Sequence, residues 1–424
     1  MSTEPAPGQP DSGGLADAPG QPDSGGLAEP VSLPSVELRD GLPAVVTSPE
    51  RLAEAIRALA GGTGPVAVDA ERASGFRYGQ RAYLVQFYRR DSGTWLIDPT
   101  AFDDLSALGD ALADATWLLH AASQDLPCLR ETGLEPRRLF DTELAARLLG
   151  RERVGLGPLV ESELGRHLVK GHGAADWSRR PLPDDWLRYA ALDVEVLVDL
   201  HDLLAVELER QGKGAWAAEE FEALLRQPPA PPRRDPWRRT SGMHRVRGKR
   251  ALAIVRELWI SRDELAQRID TSPGRVLPDV AIVAAAIAAP KDRDALADLP
   301  EFRRGQAARH LGRWWGAVGR ALALPEAELP APALASDGPP PARVWRERNP
   351  EAADRLARAR DALAGIADGI GMPTENLISP DAVRRWAWEP PVPIDVASVS
   401  AALAGRGARP WQVGLVAPAL VASA

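Results

Sequence analysis

Asp69 and Glu71 end an apolar run in the stretch PVAVDAERASG, Pro65 to Gly75. Residues i and i+2 of a strand project from the same face, so both carboxylates point one way. Burying two like charges side by side is costly unless a cation compensates. Alone, the pair fits a surface turn more readily than a site. Asp125 lies in the first turn of the helix expected after the buried strand TWLLHAA, where an acid also serves the helix dipole. Tyr189 and Asp193 are four apart in the helical stretch DDWLRYAALDVEVLVDL and share a face. Together these residues make a set: acid-x-acid on a strand, an acid after a later strand, and Tyr-x-x-x-Asp on a helix. Four carboxylates without a histidine cluster favour hard cations such as Mg²⁺ or Mn²⁺ over zinc. Two such ions, held about 3.5–4 Å apart, can clamp the attacking and leaving oxygens of an in-line phosphoryl displacement. A tyrosine hydroxyl beside them can orient the attacking water.

The elements that must position this set follow from the pattern. The stretches GPVAVDAE, RAYLVQFYRR and GTWLIDPT read as three consecutive strands, and AFDDLSALGDALADA as a helix. TWLLHAA is a buried strand, and SQDLPCLRET a helix opened by Ser123 as its N-cap. RLFDT is a last short strand, and the remainder to Leu225 is largely helical. Strands first, then strand–helix alternation, predict a mixed sheet flanked by helices.

Beyond this domain, over residues 36–227, a Pro/Arg-rich linker spans 228–243. Two all-helical segments follow, at 244–326 and 340–424. Each contains an amphipathic helix, a turn, and a Pro-Asp pair, Pro278-Asp279 or Pro380-Asp381, that starts a new helix. Residues 1–35 hold the direct repeat APGQPDSGGLA at Ala6 to Ala16 and Ala18 to Ala28. With no aromatic residue to bury, they are expected to be a disordered tail.

The 424 residues exceed one ordinary core, in line with several domains. The single cysteine, Cys128, excludes an internal disulfide framework, fits a reducing compartment, and reads as a helix core residue. The N-terminus has no basic region followed by an apolar one, so no signal peptide is expected. The apolar run Val280 to Ala289 is too short to span a bilayer and reads as a buried helix. No membrane association is expected, and the location expected is cytoplasmic. The net charge of −8 by itself argues against a nucleic-acid partner. It hides an asymmetry, however: from Ala230 to Pro325 there are 19 Arg and Lys against 10 Asp and Glu. An acidic body with a basic middle suits an enzyme carrying its own nucleic-acid-binding module, and equally an uneven solvated surface. The stretch PPRRDPWRRTSGMHRVRGKR interleaves eight basic residues with Trp237, a pattern that suits a nucleic-acid contact through phosphates and some stacking, and equally a solubilising linker.

The three motifs, in this order, resemble the DEDD exonuclease superfamily, and Tyr189-x-x-x-Asp193 its tyrosine branch. Within that branch the chain is similar to ribonuclease D. VAVDAE, AYLVQF, LLHAASQDLPCL, LFDTELAARLL and KGHGAADWSRRPLPDDWLRYAALDVEVL follow the family's segments in order. The two helical segments resemble HRDC modules, the second more weakly. The resemblance covers roughly Leu33 to the C-terminus. It implies an α/β ribonuclease H-like exonuclease domain followed by two small all-α HRDC-like domains. It also implies a 3′→5′ exoribonuclease that releases nucleoside 5′-monophosphates, with tRNA precursors and other structured RNA 3′ ends as typical substrates. No obligate protein partner follows from it. Carried over residue by residue, Asp69, Glu71, Asp125 and Asp193 are the expected ligands of two divalent cations, Mg²⁺ or Mn²⁺, and Tyr189 positions water. Gln86, His120, Lys170, Trp177 and Arg180 are the expected substrate-binding residues. His167 and His172, five apart, lack helical metal spacing and read as structural or loop residues. A DNA 3′→5′ exonuclease and an RNA-binding scaffold acting through its helical domains remain as alternative readings.

Overall fold

The computed structural model describes residues 33–169, 171–229, 231–333 and 338–424. The repeat falls outside them. At the start of the described residues Ser35 bridges His167, and the Pro34 carbonyl accepts from the His167 amide at 2.8 Å.

A six-stranded mixed sheet forms the first half. Its strands are β1 (Val45–Val46), β2 (Thr63–Arg72), β3 (Ala82–Arg90), β4 (Gly93–Ile97), β5 (Trp117–Leu119) and β6 (Leu139–Asp141), in the order β1-β4-β3-β2-β5-β6. The meander β2-β3-β4 is antiparallel, while β1, β5 and β6 join in parallel. Helices α1 (Pro49–Gly61), α2 (Ser106–Ala111), α3 (Leu126–Glu131), α4 (Thr142–Leu148), α5 (Leu156–Leu164), α6 (Asp184–Arg210) and α7 (Gly214–Arg226) complete this half. The helix expected over AFDDLSALGDALADA is confined to α2. It is preceded by a single 3₁₀ turn, Pro99–Ala101, which the Asp98 side chain caps. The 27-residue α6 crosses the sheet over β2, β3 and β4. Ala190 and Ala191 are fully buried on its inner face, and their small side chains permit the close approach.

The second half is helical. Its first module holds α8 (Lys249–Arg268), α9 (Pro273–Val276), α10 (Asp279–Ala288), α11 (Arg293–Ala297), α12 (Gly305–Arg309) and α13 (Leu311–Ala323). It has a hydrophobic core of its own around Leu258, Leu265, Ile282, Phe302 and Trp314. The Pro278-Asp279 start is fixed as expected. One Asp279 carboxylate oxygen accepts from Arg262 at 2.6 Å, the other from the Ser241 amide at 2.7 Å. The basic stretch before α8 is not a free linker. Trp237 is buried in this core with the Arg238 guanidinium 4.2 Å over its ring, so no base can stack there.

The second module comprises α14 (Trp345–Arg348), α15 (Pro350–Gly369), α16 (Thr374–Leu377), α17 (Pro380–Trp388), α18 (Val396–Ala404) and α19 (Pro410–Ala422). It repeats the long helix, short turn and Pro-Asp helix of the first. Its apolar residues, however, join the core of the sheet domain. Trp411 stacks on Trp216 of α7, ring centroids 4.9 Å apart, and its indole donates to Glu220 at 2.9 Å. Gly150 lies so close to the Gly371 carbonyl that a Cβ there would be only 2.2 Å from its oxygen. These helices thus buttress the sheet half directly, while the module between them in sequence folds on a separate core.

Candidate active site

Strand β2 outruns its neighbour. β5 pairs only with Val66 and Ala67, so the carboxyl end of β2, from Val68 onward, has no partner on that side. Beyond Leu119 the chain leaves the sheet through Ala121, whose φ of 59° turns it sharply. The Asp141 carboxylate, at the end of β6, holds this turn by accepting from the Ala121 and Ala122 amides at 3.2 and 2.8 Å. It also caps α4 through the Glu143 and Leu144 amides. The cleft therefore opens at the carboxyl ends of parallel strands, where open α/β sheets take their ligands.

The acid-x-acid pair stands on that free end. Asp69 and Glu71 project together, as the strand period requires, toward Asp193 on α6. Oxygens of Asp69, Glu71 and Asp193 all lie within 4.8 Å of one another. Asp125 stands at the start of α3 as its N-cap residue, displacing Ser123 from that expected role, yet its side chain caps no amide. It lines the same cavity of about 260 Å³ as Asp69, Glu71, Tyr189 and Asp193. Tyr189, one turn before Asp193, faces that cavity. The His172 ring meets Tyr189 edge-on, with centroids 5.8 Å apart, and lies 5.7 Å from that of Trp186. Gly173 leaves room above the Tyr189 hydroxyl, since a Cβ there would be 3.6 Å from its oxygen.

The electrostatics follow from packing four acids together. Burial raises the Asp69 and Asp193 carboxyls, and burial with the neighbouring Asp69 charge raises Asp125. Burial first, then the charges of Asp69, Asp193 and Asp125, push Glu71 up to about 10. Burial and the Asp193 carboxylate raise the Tyr189 phenol, which stays protonated at neutral pH. A basic residue here is Arg72, whose guanidinium is 3.4 Å from Asp125. One guanidinium cannot balance four carboxylates, so the donor set suits divalent cations.

The candidate substrate residues divide. His120 lines the cavity, but burial lowers it to about 4, so it is neutral, and its Nδ1 pairs with Thr142 Oγ1 at 2.9 Å. Gln86 pairs with Asp69 across the β2–β3 ladder but is fully buried, with both amide atoms unpartnered, and has no access to substrate. Trp177 is likewise fully buried, its indole donating to the His172 carbonyl at 3.1 Å. Arg180 spends its N–H groups inside the protein. It donates to Asp98 at 2.5 Å and to the carbonyls of Trp177 and Tyr83, each at 2.8 Å. Trp177 and Arg180 thus hold the α5–α6 connection on the sheet. Lys170 lies outside the described residues. Arg72 and His172 are neighbours of the site that the motifs did not single out. Arg72 directly follows the acid pair. His172, expected to be a structural or loop residue, packs on Tyr189 and so supports it.

Comparison with known proteins places this geometry among relatives. The family described as 3′-5′ exonuclease matches residues 43–209, and the HRDC domain family matches 251–318. The family described as 3′ to 5′ exonuclease C-terminal domain matches 338–424, the segment with the weaker HRDC resemblance. Ribonuclease D of Gluconacetobacter diazotrophicus is 36% identical over 284 residues, covering 65% of this chain and 71% of that protein. Ribonuclease D of a Jannaschia species is 31% identical over 359 residues, covering 80% and 87%. A crystal structure of a Bifidobacterium adolescentis protein superposes with a TM-score of 0.85 at 39% identity, covering 92% of this chain and 99% of that one. The crystal structure of Escherichia coli RNase D, an exoribonuclease involved in structured RNA processing, superposes at 0.63 with 26% identity, covering 90% and 98%.

Proposed function

The chain belongs to the ribonuclease D family of 3′→5′ exoribonucleases, and from that premise we propose that it trims RNA 3′ ends with two divalent cations, releasing nucleoside 5′-monophosphates. The observation that carries the reading is the meeting of Asp69, Glu71 and Asp193 within 4.8 Å, in a cavity also lined by Asp125 and Tyr189. Those four carboxylates would hold the cations. When bound, such ions polarise the scissile phosphate and stabilise the attacking and leaving oxygens.

The remaining tasks fall to the chain's own groups. The Tyr189 hydroxyl, kept protonated by burial beside Asp193, orients water by hydrogen bonding and does not act as a phenolate base. Arg72 can meet a substrate phosphate once Asp125 is engaged elsewhere. Neutral His120 shapes the cleft wall. Processing of tRNA precursors or other structured RNAs is the substrate class this family membership supports. Intact acidic residues at all four positions speak against a scaffold that only binds RNA.

A metal-dependence assay on 3′- and 5′-end-labelled RNA tests the proposal. The expected result is a ladder shortening from the 3′ end in Mg²⁺ or Mn²⁺, with mononucleotide product, which Asp69→Ala abolishes. Full activity of Asp69→Ala in a clean preparation would overturn the site.

A further inference from the structure

The β2–β3 loop, residues 73–81, leaves the catalytic strand directly after Glu71 and Arg72 and is gripped by the first helical module. The Ser272 amide donates to the Phe76 carbonyl at 2.9 Å, and Arg275 Nε to the Gly75 carbonyl at 2.8 Å. The Arg275 guanidinium also lies 4.0 Å over the Phe76 ring. Asp270 accepts from the Tyr78 amide at 3.2 Å and pairs with Arg77 at 3.5 Å. The Tyr78 hydroxyl donates to Asp263 on α8 at 3.0 Å, and its ring packs on the module's core. Arg77 also donates from Nε to Ser178 at 2.9 Å, in the connection that carries His172 and Gly173.

The α8–α9 corner thus holds one wall of the cleft directly and, through Arg77 and Ser178, the opposite one. Both walls meet at the site. Ser74 and Gly75 from one, and Gly173, Ala174 and Ala175 from the other, line a cavity of about 260 Å³ with Glu71 and Arg72. A loop with exposed glycines has little rigidity of its own, whereas one hydrogen-bonded at four successive residues is confined.

Resting on the exonuclease reading above, we propose that Asp270 and Arg275 are positioning residues for the reaction. By this account the helical module sets the width of the cleft beside Glu71 and Arg72 and assists the chemical step apart from any RNA it binds.

The test is steady-state kinetics of the full-length protein on a tetranucleotide and on a 20-nucleotide RNA, in Mg²⁺ and in Mn²⁺. Misplacement of an active-site wall by about 1 Å can cost up to roughly 100-fold in rate. Arg275→Ala and Asp270→Ala are therefore expected to lower kcat about 5- to 20-fold on both substrates, with KM within about twofold. Arg275→Lys retains a donor for the Gly75 carbonyl and is expected to restore most of the loss. Hydrogen exchange of residues 74–78 should rise in both alanine variants while the unfolding midpoint moves little. Unchanged kcat in the alanine variants, or a loss confined to KM on the longer RNA, would overturn the positioning role with the exonuclease reading intact. A wild-type protein inactive on both substrates in both metals would overturn that reading and the positioning role together.

Discussion

The Arg72 guanidinium stands 3.4 Å from the Asp125 carboxylate, joining the end of the catalytic strand to the start of the helix that carries the third acid. Arg72 thus occupies the carboxylate that a cation would claim. Replacing it by alanine removes a competitor for the ion and a partner for a phosphate. Arg72→Ala is expected to bind Mn²⁺ several-fold more tightly in calorimetry while KM for RNA rises about tenfold. Weaker ion binding in this variant would show that Arg72 organises the ligands and does not compete with the ion.

The raised carboxyls make the ion-free protein sensitive to base. Glu71 is pushed up to about 10, so the folded chain keeps protons that the unfolded chain has already released. Its contribution to stability is complete below the ordinary carboxylate range and declines as pH climbs through neutral toward 10. Chelated protein should therefore melt at lower temperature at pH 8.5 than at pH 5.5, and Mn²⁺ should restore more at the higher pH. Glu71→Gln should flatten the first dependence. A chelated melting curve that is flat over this range would refute the assignment.

Tyr189 and the acids can be separated by their readouts. Tyr189→Phe keeps the ring that packs against His172 and removes only the hydroxyl. A single positioned hydrogen bond of this kind contributes about 10²- to 10³-fold. The loss is expected in kcat, with calorimetric affinity for the cation within about twofold of wild type. Asp193→Asn should lose both.

The shared core changes how the helical half must be tested. Deleting everything after Gln227 looks from the sequence like a clean removal of binding modules. In the structure it strips the cover from Trp216 and from the helices around it. Trp411→Ala alone should cost about 3–5 kcal/mol, read by chemical denaturation. Catalytic activity and the C-terminal helices should be lost in one transition. A separate, earlier transition of the C-terminal helices would show that the two parts are only loosely joined.

Much of the site was legible because its signals are local. The spacing of Asp69 and Glu71 puts them on one face of a strand, and that of Tyr189 and Asp193 on one face of a helix. Depth was not legible. Gln86, Trp177 and Arg180 sit in recognisable segments, but a segment does not say whether its polar group meets solvent or its own fold. Nothing local marks Arg72 either, since its partner Asp125 lies 53 residues further along the chain. The two-residue strand β1 is too short for any periodicity. The two helical segments share one sequence pattern, yet only the first keeps its own core. What the second packs against is fixed by partners such as Trp216 and Trp411, far apart in the chain, which no local pattern reveals.

The Glu220–Trp411 hydrogen bond spans 191 residues, and this separation has a consequence in time. Synthesis at about 5–20 residues per second leaves roughly 10–40 s between the emergence of one partner and the other. For that interval the catalytic half exists without the helix that closes its core. Ribosome-stalled chains ending before Trp411 should be cut readily within α7 by protease, and release of the full chain should end that sensitivity. A messenger broken before the Trp411 codon would then yield a chain unable to complete its fold, and so no working ribonuclease.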